Sequence, residues 1–165
     1  DPGEDVAWEW LVEGAKLVRS RLKADGIESF VKTTGGKGLH VQAPILPELG
    51  WDDVKEYCRR IAVEMEKDNP SGYISTMTKK KRVGRIFVDY LRNGRGATAI
   101  APYSTRARPG APVATPIRWG ELGPAMRPDR FNVENLPRRL ARLKHDPWEG
   151  FFELKQSLPP PSKWR

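Results

Sequence analysis

An α+β domain built on antiparallel strand pairs is the fold class this sequence predicts, on three observations. Segments of helical and strand periodicity mix without the strict alternation of a doubly wound parallel sheet, which is the weaker alternative. The segments that read as strands are joined by tight turns rather than by crossover helices. The 165 residues, 38% of them hydrophobic and including six Trp, five Phe and four Tyr, suffice for one sizeable core without a disulfide or structural metal.

Taken in order, Val6, Trp10, Leu11, Val18 and Leu22 recur at helical spacing across residues 4–25, and Gly26 follows as at a helix end. Residues 29–33 and 39–43 read as two strands around Gly35-Gly36-Lys37-Gly38, a hairpin with Lys37 at its tip. A second helix is expected over 51–67, with Val54, Tyr57, Cys58, Ile61, Ala62 and Met65 on one stripe and Asn69-Pro70 as its stop. Residues 86–91 read as an apolar strand that carries Asp89. Asn93-Gly94 signals a turn, and 97–101 is expected to pair back as a further strand. Residues 102–128, rich in Pro and Gly, read as an ordered, extended surface loop. A last helix is expected over 134–144, with Pro137 in its first turn and Leu136, Leu140 and Leu143 on its apolar side. The stretch 159–165 reads as a Pro-rich tail or linker. The opening Asp1-Pro2-Gly3, without an initiator methionine, reads as that of a fragment or processed chain.

Composition narrows the class of function. The single cysteine, Cys58, cannot form an internal disulfide, and with two histidines it cannot build a zinc finger, so a reducing, cytoplasmic setting is expected. No apolar run approaches a membrane span and no signal segment opens the chain, which disfavours secretion and membrane partners. The net charge of +8 is localised: from Lys79 to Arg108, nine basic residues face only Asp89, and elsewhere the charges cancel. Such a patch is either a solvated basic face or a phosphate-attracting surface, and Lys79, Lys80, Lys81 and Arg85 are the candidates for nucleic-acid contact.

Within that patch, Asp89 is costly to bury unpaired. Either it forms a salt bridge to Arg82, Arg85 or Arg92, or it binds a divalent metal while its basic neighbours engage phosphates. The turn from Thr33 to His40 sets a hydroxyl, a lysine and a histidine at three-residue intervals around glycines. It is either a plain turn or a triphosphate cradle. It is not a P-loop, because Gly38 rather than Ser or Thr follows Lys37 and the glycine spacing differs.

Together these residues resemble the polymerase domain of bacterial ATP-dependent DNA ligase D, in the archaeo-eukaryotic primase superfamily. The resemblance rests on Asp1-Pro2-Gly3-Glu4, SFVKTTGGKGLHV from Ser29, RIFVDYLRNGRGATAIA from Arg85 and PYSTRARPGAPVATP from Pro102. It implies a primase-polymerase catalytic module, a mostly antiparallel or mixed sheet flanked by helices, with residues 1–158 forming the C-terminal portion of that domain. It further implies that Asp89 is the third metal-binding carboxylate and Asp1 the second acid of an Asp-x-Asp motif whose first member would lie two residues before Asp1. Thr34, Lys37 and His40 would surround the nucleotide, and Arg82 and Arg106 would lie near its phosphates. The implied activity is nucleotidyl transfer for gap filling and end extension, with ribonucleotides preferred, in nonhomologous end joining in the bacterial nucleoid. The implied cofactor is manganese, with magnesium as the second candidate. The implied partners are DNA ends or a gapped primer-template, a nucleoside triphosphate, the N-terminal portion of the same domain, a ligase domain and a Ku-type end-binding protein. The rival class is a non-catalytic DNA- or nucleotide-binding fragment with an incomplete metal site, which binds in a salt-sensitive way without turnover.

Overall fold

The computed structural model describes residues 1–164. Its elements are α1 (Trp8–Ala24), β1 (Phe30–Thr33), β2 (Leu39–Gln42), α2 (Trp51–Asp68), β3 (Tyr73–Ile74), β4 (Ile86–Phe87), β5 (Pro116–Ile117) and α3 (Leu136–Arg142). The architecture is α+β, as the sequence predicts. One sheet is antiparallel throughout, in the order β2-β1-β5, and β3 and β4 form a separate parallel pair.

The two long helices follow from their apolar stripes. Leu11, Val12, Ala15 and Leu22 of α1 meet Tyr57, Ile61 and Met65 of α2 in the core, and Val31 of β1 and Ile117 of β5 close it. Gly26, at φ +78°, reverses the chain after α1 in the left-handed region that favours glycine. Polar latches join the helices where α1 ends: Arg21 pairs with Glu64 and Asp68, while Arg60 and the Tyr57 hydroxyl both donate to Asp25. The α1 stripe differs from expectation by one position, because Trp8 is buried and Trp10 is 49% exposed. Trp8 earns its place through an indole N–H donated to the Gly123 carbonyl, whereas Trp10 lies edge-on against Tyr73. Cys58 is half-buried against the core rather than inside it, and burial pushes its thiol up to about 11.

The strand expected over 86–91 is shorter, and the one over 97–101 does not form. Both sides of β4 are already taken: β3 pairs on one side, and the segment Asp1–Gly3 runs antiparallel on the other, with Pro2 opposite Ile86. No edge remains for residues 97–101, which stay largely exposed. Past Phe87 the chain turns through a 3₁₀ turn at Leu91–Asn93.

The Pro-rich 102–128 region is a second departure. Residues 112–117 are buried, and β5 completes the sheet along the free side of β1. Thr33 donates its backbone N–H to the Thr115 carbonyl and accepts the Thr115 N–H on its hydroxyl, 3.0 and 3.2 Å. Pro116 is tolerated because β5 is an edge strand. In α3 only Leu136 is buried, and Leu140 is exposed. The end of the chain folds back rather than extending: Trp164 packs on Tyr57, ring centroids 5.6 Å apart, and its indole donates to Pro159. Arg165, the last residue of the expected tail, lies outside the described residues.

Candidate active site

The hairpin between β1 and β2 shapes one wall of the site. Gly35 has φ +63°, and a Cβ there would lie 3.1 Å from the Pro112 carbonyl oxygen and 3.2 Å from Arg106 Cγ, so the turn needs glycine twice over. The buried Thr34 hydroxyl donates to the Gly38 carbonyl at 2.9 Å and accepts the Gly36 N–H at 3.2 Å, which fixes the loop from inside. Lys37 stands exposed at the tip. With Pro2, Trp8 and Arg127 it borders a cleft of about 300 Å³.

Two arginines flank the hairpin. Arg106 donates its Nε–H to the Thr34 carbonyl at 3.0 Å, so the guanidinium is held against the turn. The guanidinium carbon of Arg108 lies 3.9 Å from where a Gly36 Cβ would be. Arg108 was not among the expected site residues, although it shares the run STRAR with Arg106.

The acids arrive from the neighbouring pair of segments. Asp1 and Phe87 exchange backbone hydrogen bonds, 2.9 Å each, so Asp1 is registered against β4 two residues from Asp89. The approach of these segments is close: a Cβ on Gly3 would fall 1.9 Å from the Arg82 carbonyl oxygen. The Asp1 carboxylate accepts from Arg82 Nη1 at 2.9 Å, and the same guanidinium lies over the Phe87 ring and donates to the Met77 carbonyl. Of the three arginines expected to pair with Asp89, Arg92 does so, at 3.5 Å, while the other carboxylate oxygen accepts the Leu91 N–H at 3.0 Å. The hairpin lies against this seam: a Cβ on Gly38 would fall 3.7 Å from Asp1 Cα, and the charge of Asp89 is felt at His40 two residues further on.

His40 is held neutral. Burial, and then the positive charges of Lys32 and Arg106 among others, push its pKa down to about 4. Lys32, directly across the ladder from His40, is fully buried. It too was missing from the expected site, because a lysine in a strand reads as a solvated position.

Of the expected residues, the structure gathers Asp1, Asp89, Thr34, His40, Arg82 and Arg106, with Lys37 at the rim. The other basic candidates lie apart. Lys79, Lys80 and Lys81 form an exposed 3₁₀ turn leading to Arg82, and Arg85 reaches the Pro70 carbonyl at 3.4 Å.

An antiparallel hairpin with a basic tip, facing acids on an adjoining strand pair within an α+β frame, defines a module of the primase-polymerase class. The family model described as the LigD primase-polymerase domain matches residues 1–148, and the chain belongs to that family. It is 37% identical over 159 residues to the multifunctional non-homologous end joining protein LigD of Pseudomonas aeruginosa, which covers 96% of this chain and 19% of that protein. The non-homologous end joining DNA repair protein LigD of Mycobacterium tuberculosis H37Rv is 38% identical over 143 residues, 86% of this chain and 19% of that protein. Among solved structures, the polymerase domain of Mycobacterium tuberculosis ligase D in complex with DNA superposes with a TM-score of 0.85 at 37% identity, over 96% of this chain and 54% of that one. The chain thus spans a minor part of these relatives and about half of the matched domain.

Proposed function

We propose that this chain is the C-terminal portion of a primase-type polymerase domain that transfers nucleotides from a nucleoside triphosphate to a 3′-hydroxyl, filling gaps and extending DNA ends during non-homologous end joining. The observation that carries this reading is the convergence of Asp1 and Asp89 with the Gly-rich hairpin and Arg106. The names of the relatives and the DNA complex of the structural neighbour support it.

In this reading the residues divide the work by charge. Lys37 at the tip and the Arg106 and Arg108 guanidiniums neutralise and orient the triphosphate, so that catalysis rests on positioning and preorganised electrostatics. Neutral His40 serves as a hydrogen-bonding group without adding charge. Arg82 holds Asp1 beside β4, while the Leu91 N–H fixes one oxygen of Asp89 and Arg92 faces the other. Lys79, Lys80, Lys81 and Arg85 line the approach for the nucleic-acid backbone.

Among the described residues no group of three or more His, Cys, Asp or Glu is gathered for a metal. The donor chemistry nevertheless suits manganese or magnesium: Asp1 and Asp89 offer hard carboxylate oxygens, Asp1 with its side chain 56% exposed, and such ions commonly take one or two carboxylates with phosphate and water completing the shell. When bound there, the cation would supply Lewis-acid stabilisation of charge on the transferring phosphoryl group and pyrophosphate. An acid two residues before Asp1 would share the Asp1 face of the strand. Ribonucleotide preference, a ligase domain and a Ku-type protein as partners complete the reading.

The test is primer extension on gapped DNA by the protein that carries this chain. Lys37→Ala should raise the apparent KM for nucleotide about tenfold or more, as for loss of a charge-assisted contact. Unchanged nucleotide dependence would reject the cradle. Salt-sensitive DNA binding without incorporation by the unmodified protein would instead support the non-catalytic class.

A further inference from the structure

Lys32 is a charged residue of the site region that the proposed chemistry leaves without a role. It is 0% exposed in the middle of β1. Its ammonium donates to the Ile100 carbonyl at 2.6 Å, a neutral acceptor, although an ammonium has three hydrogens to place. The charges around it are mostly of its own sign. His40 faces it from β2 and is kept uncharged, Arg106 repels it from the connection beside the hairpin, and β5 offers the uncharged Pro116. Among the described residues no carboxylate pairs with it, and the site's two acids, Asp89 and Asp1, are engaged with Arg92 and Arg82. A buried cation with such poor compensation is costly, and an apolar side chain would serve the fold better.

We propose that Lys32 is a positioning residue of the triphosphate site: it moors the Ile100 segment to the floor of the hairpin and keeps an uncompensated positive charge behind His40 and Arg106, which an arriving polyphosphate neutralises. The inference rests on the nucleotide-binding reading above. In the free protein, burial and Arg106 push the Lys32 ammonium down to about 8. An anion beside it favours the charged form, so polyphosphate binding near pH 8.5 takes up protons.

Inorganic tripolyphosphate is the probe, and calorimetry in buffers of different ionisation enthalpy is the readout. The unmodified protein should take up a fraction of a proton on binding. Lys32→Met should bind about tenfold more weakly with that uptake gone. Lys32→Arg, which keeps the charge but cannot shed its proton, should restore most of the affinity without restoring the uptake, a pattern that a purely structural role does not produce. Lys32→Met should also be cut faster by trypsin after Arg95, because the Ile100 segment has lost its mooring. Equal affinity and equal proton uptake in Lys32→Met would overturn the proposal while leaving the nucleotide reading intact. Failure of the unmodified protein to bind tripolyphosphate or nucleotide would overturn that reading and this inference with it. Should the variants not fold, the Lys32 ¹⁵Nζ resonance of the unmodified protein decides: its titration midpoint should rise by about one pH unit on saturation with tripolyphosphate, and an unmoved midpoint overturns the proposal.

Discussion

Replacing Asp89 with Asn separates its chemical role from its structural one, because the structure shows what the fold stands to lose. One carboxylate oxygen caps the turn through the Leu91 N–H at 3.0 Å, and the Asn carbonyl preserves that bond. The other faces Arg92 at 3.5 Å, but the Arg92 side chain is 62% exposed, and a pair of this kind contributes at most about 1 kcal/mol. The urea midpoint of Asp89→Asn should therefore stay close to that of the parent. Catalysis should respond very differently. Loss of one of few carboxylates from a divalent-cation site removes several kcal/mol of transition-state stabilisation, and each 1.4 kcal/mol or so is a factor of ten. Nucleotide incorporation on gapped DNA should fall at least about a hundredfold, with DNA binding at fixed salt nearly unchanged. Incorporation within threefold of the parent would refute the assignment of Asp89 as a metal ligand. A large loss of stability would refute the account of its partners.

Gly3→Ala should loosen the seam between the first residues and β4, since its Cβ would lie 1.9 Å from the Arg82 carbonyl oxygen; a loss of about 1–3 kcal/mol in urea unfolding is expected, and an unchanged midpoint would show that this seam is not closely packed in solution. Changing Lys79, Lys80 and Lys81 together to Ala should weaken DNA binding and flatten the log–log salt dependence by about two to three; an unchanged slope would mean that this turn contacts no phosphates. Stability should fall as pH drops from about 6.5 towards 4, because the unfolded chain protonates His40 in that window while the fold, with its pKa pushed down to about 4, does not. His40→Gln should flatten that part of the pH–stability profile, and a curve of the same slope would place the acid sensitivity elsewhere.

Much of the frame was legible because local chemistry and tertiary structure agree. The α2 stripe and its Asn69 stop, the end of α1 at Gly26 and the hairpin around Gly35 all follow from periodicity and backbone preference. The remainder depended on neighbours that no local pattern reveals. Residues 97–101 have strand-like composition but find no open edge, whereas the proline-bearing 116–117 pair is a strand because β1 offers one. In the site, Asp89, Thr34, Lys37, His40, Arg82 and Arg106 stood out through spacing and resemblance. Lys32 did not, since only the three-dimensional fold shows that a lysine between Val31 and Thr33 is sealed from water. Arg108 follows a tight turn in which its N–H donates to the Arg106 carbonyl at 2.8 Å, so only the fold shows that it reaches the hairpin.

The closing of β1 by β5 also sets a timetable for the growing chain. Thr33 meets Thr115 across 82 positions, whereas its other neighbour lies just beyond a short turn. The hairpin can zip within about ten microseconds of emerging. Synthesis at ordinary speed needs on the order of ten seconds to deliver the other partner. Throughout that interval the central strand presents an unpaired backbone edge, the feature that templates wrong pairings. The nascent domain therefore passes through a long half-finished stage whose resolution waits on a proline-rich segment, and that stage is where a chaperone or a misplaced strand has its opportunity.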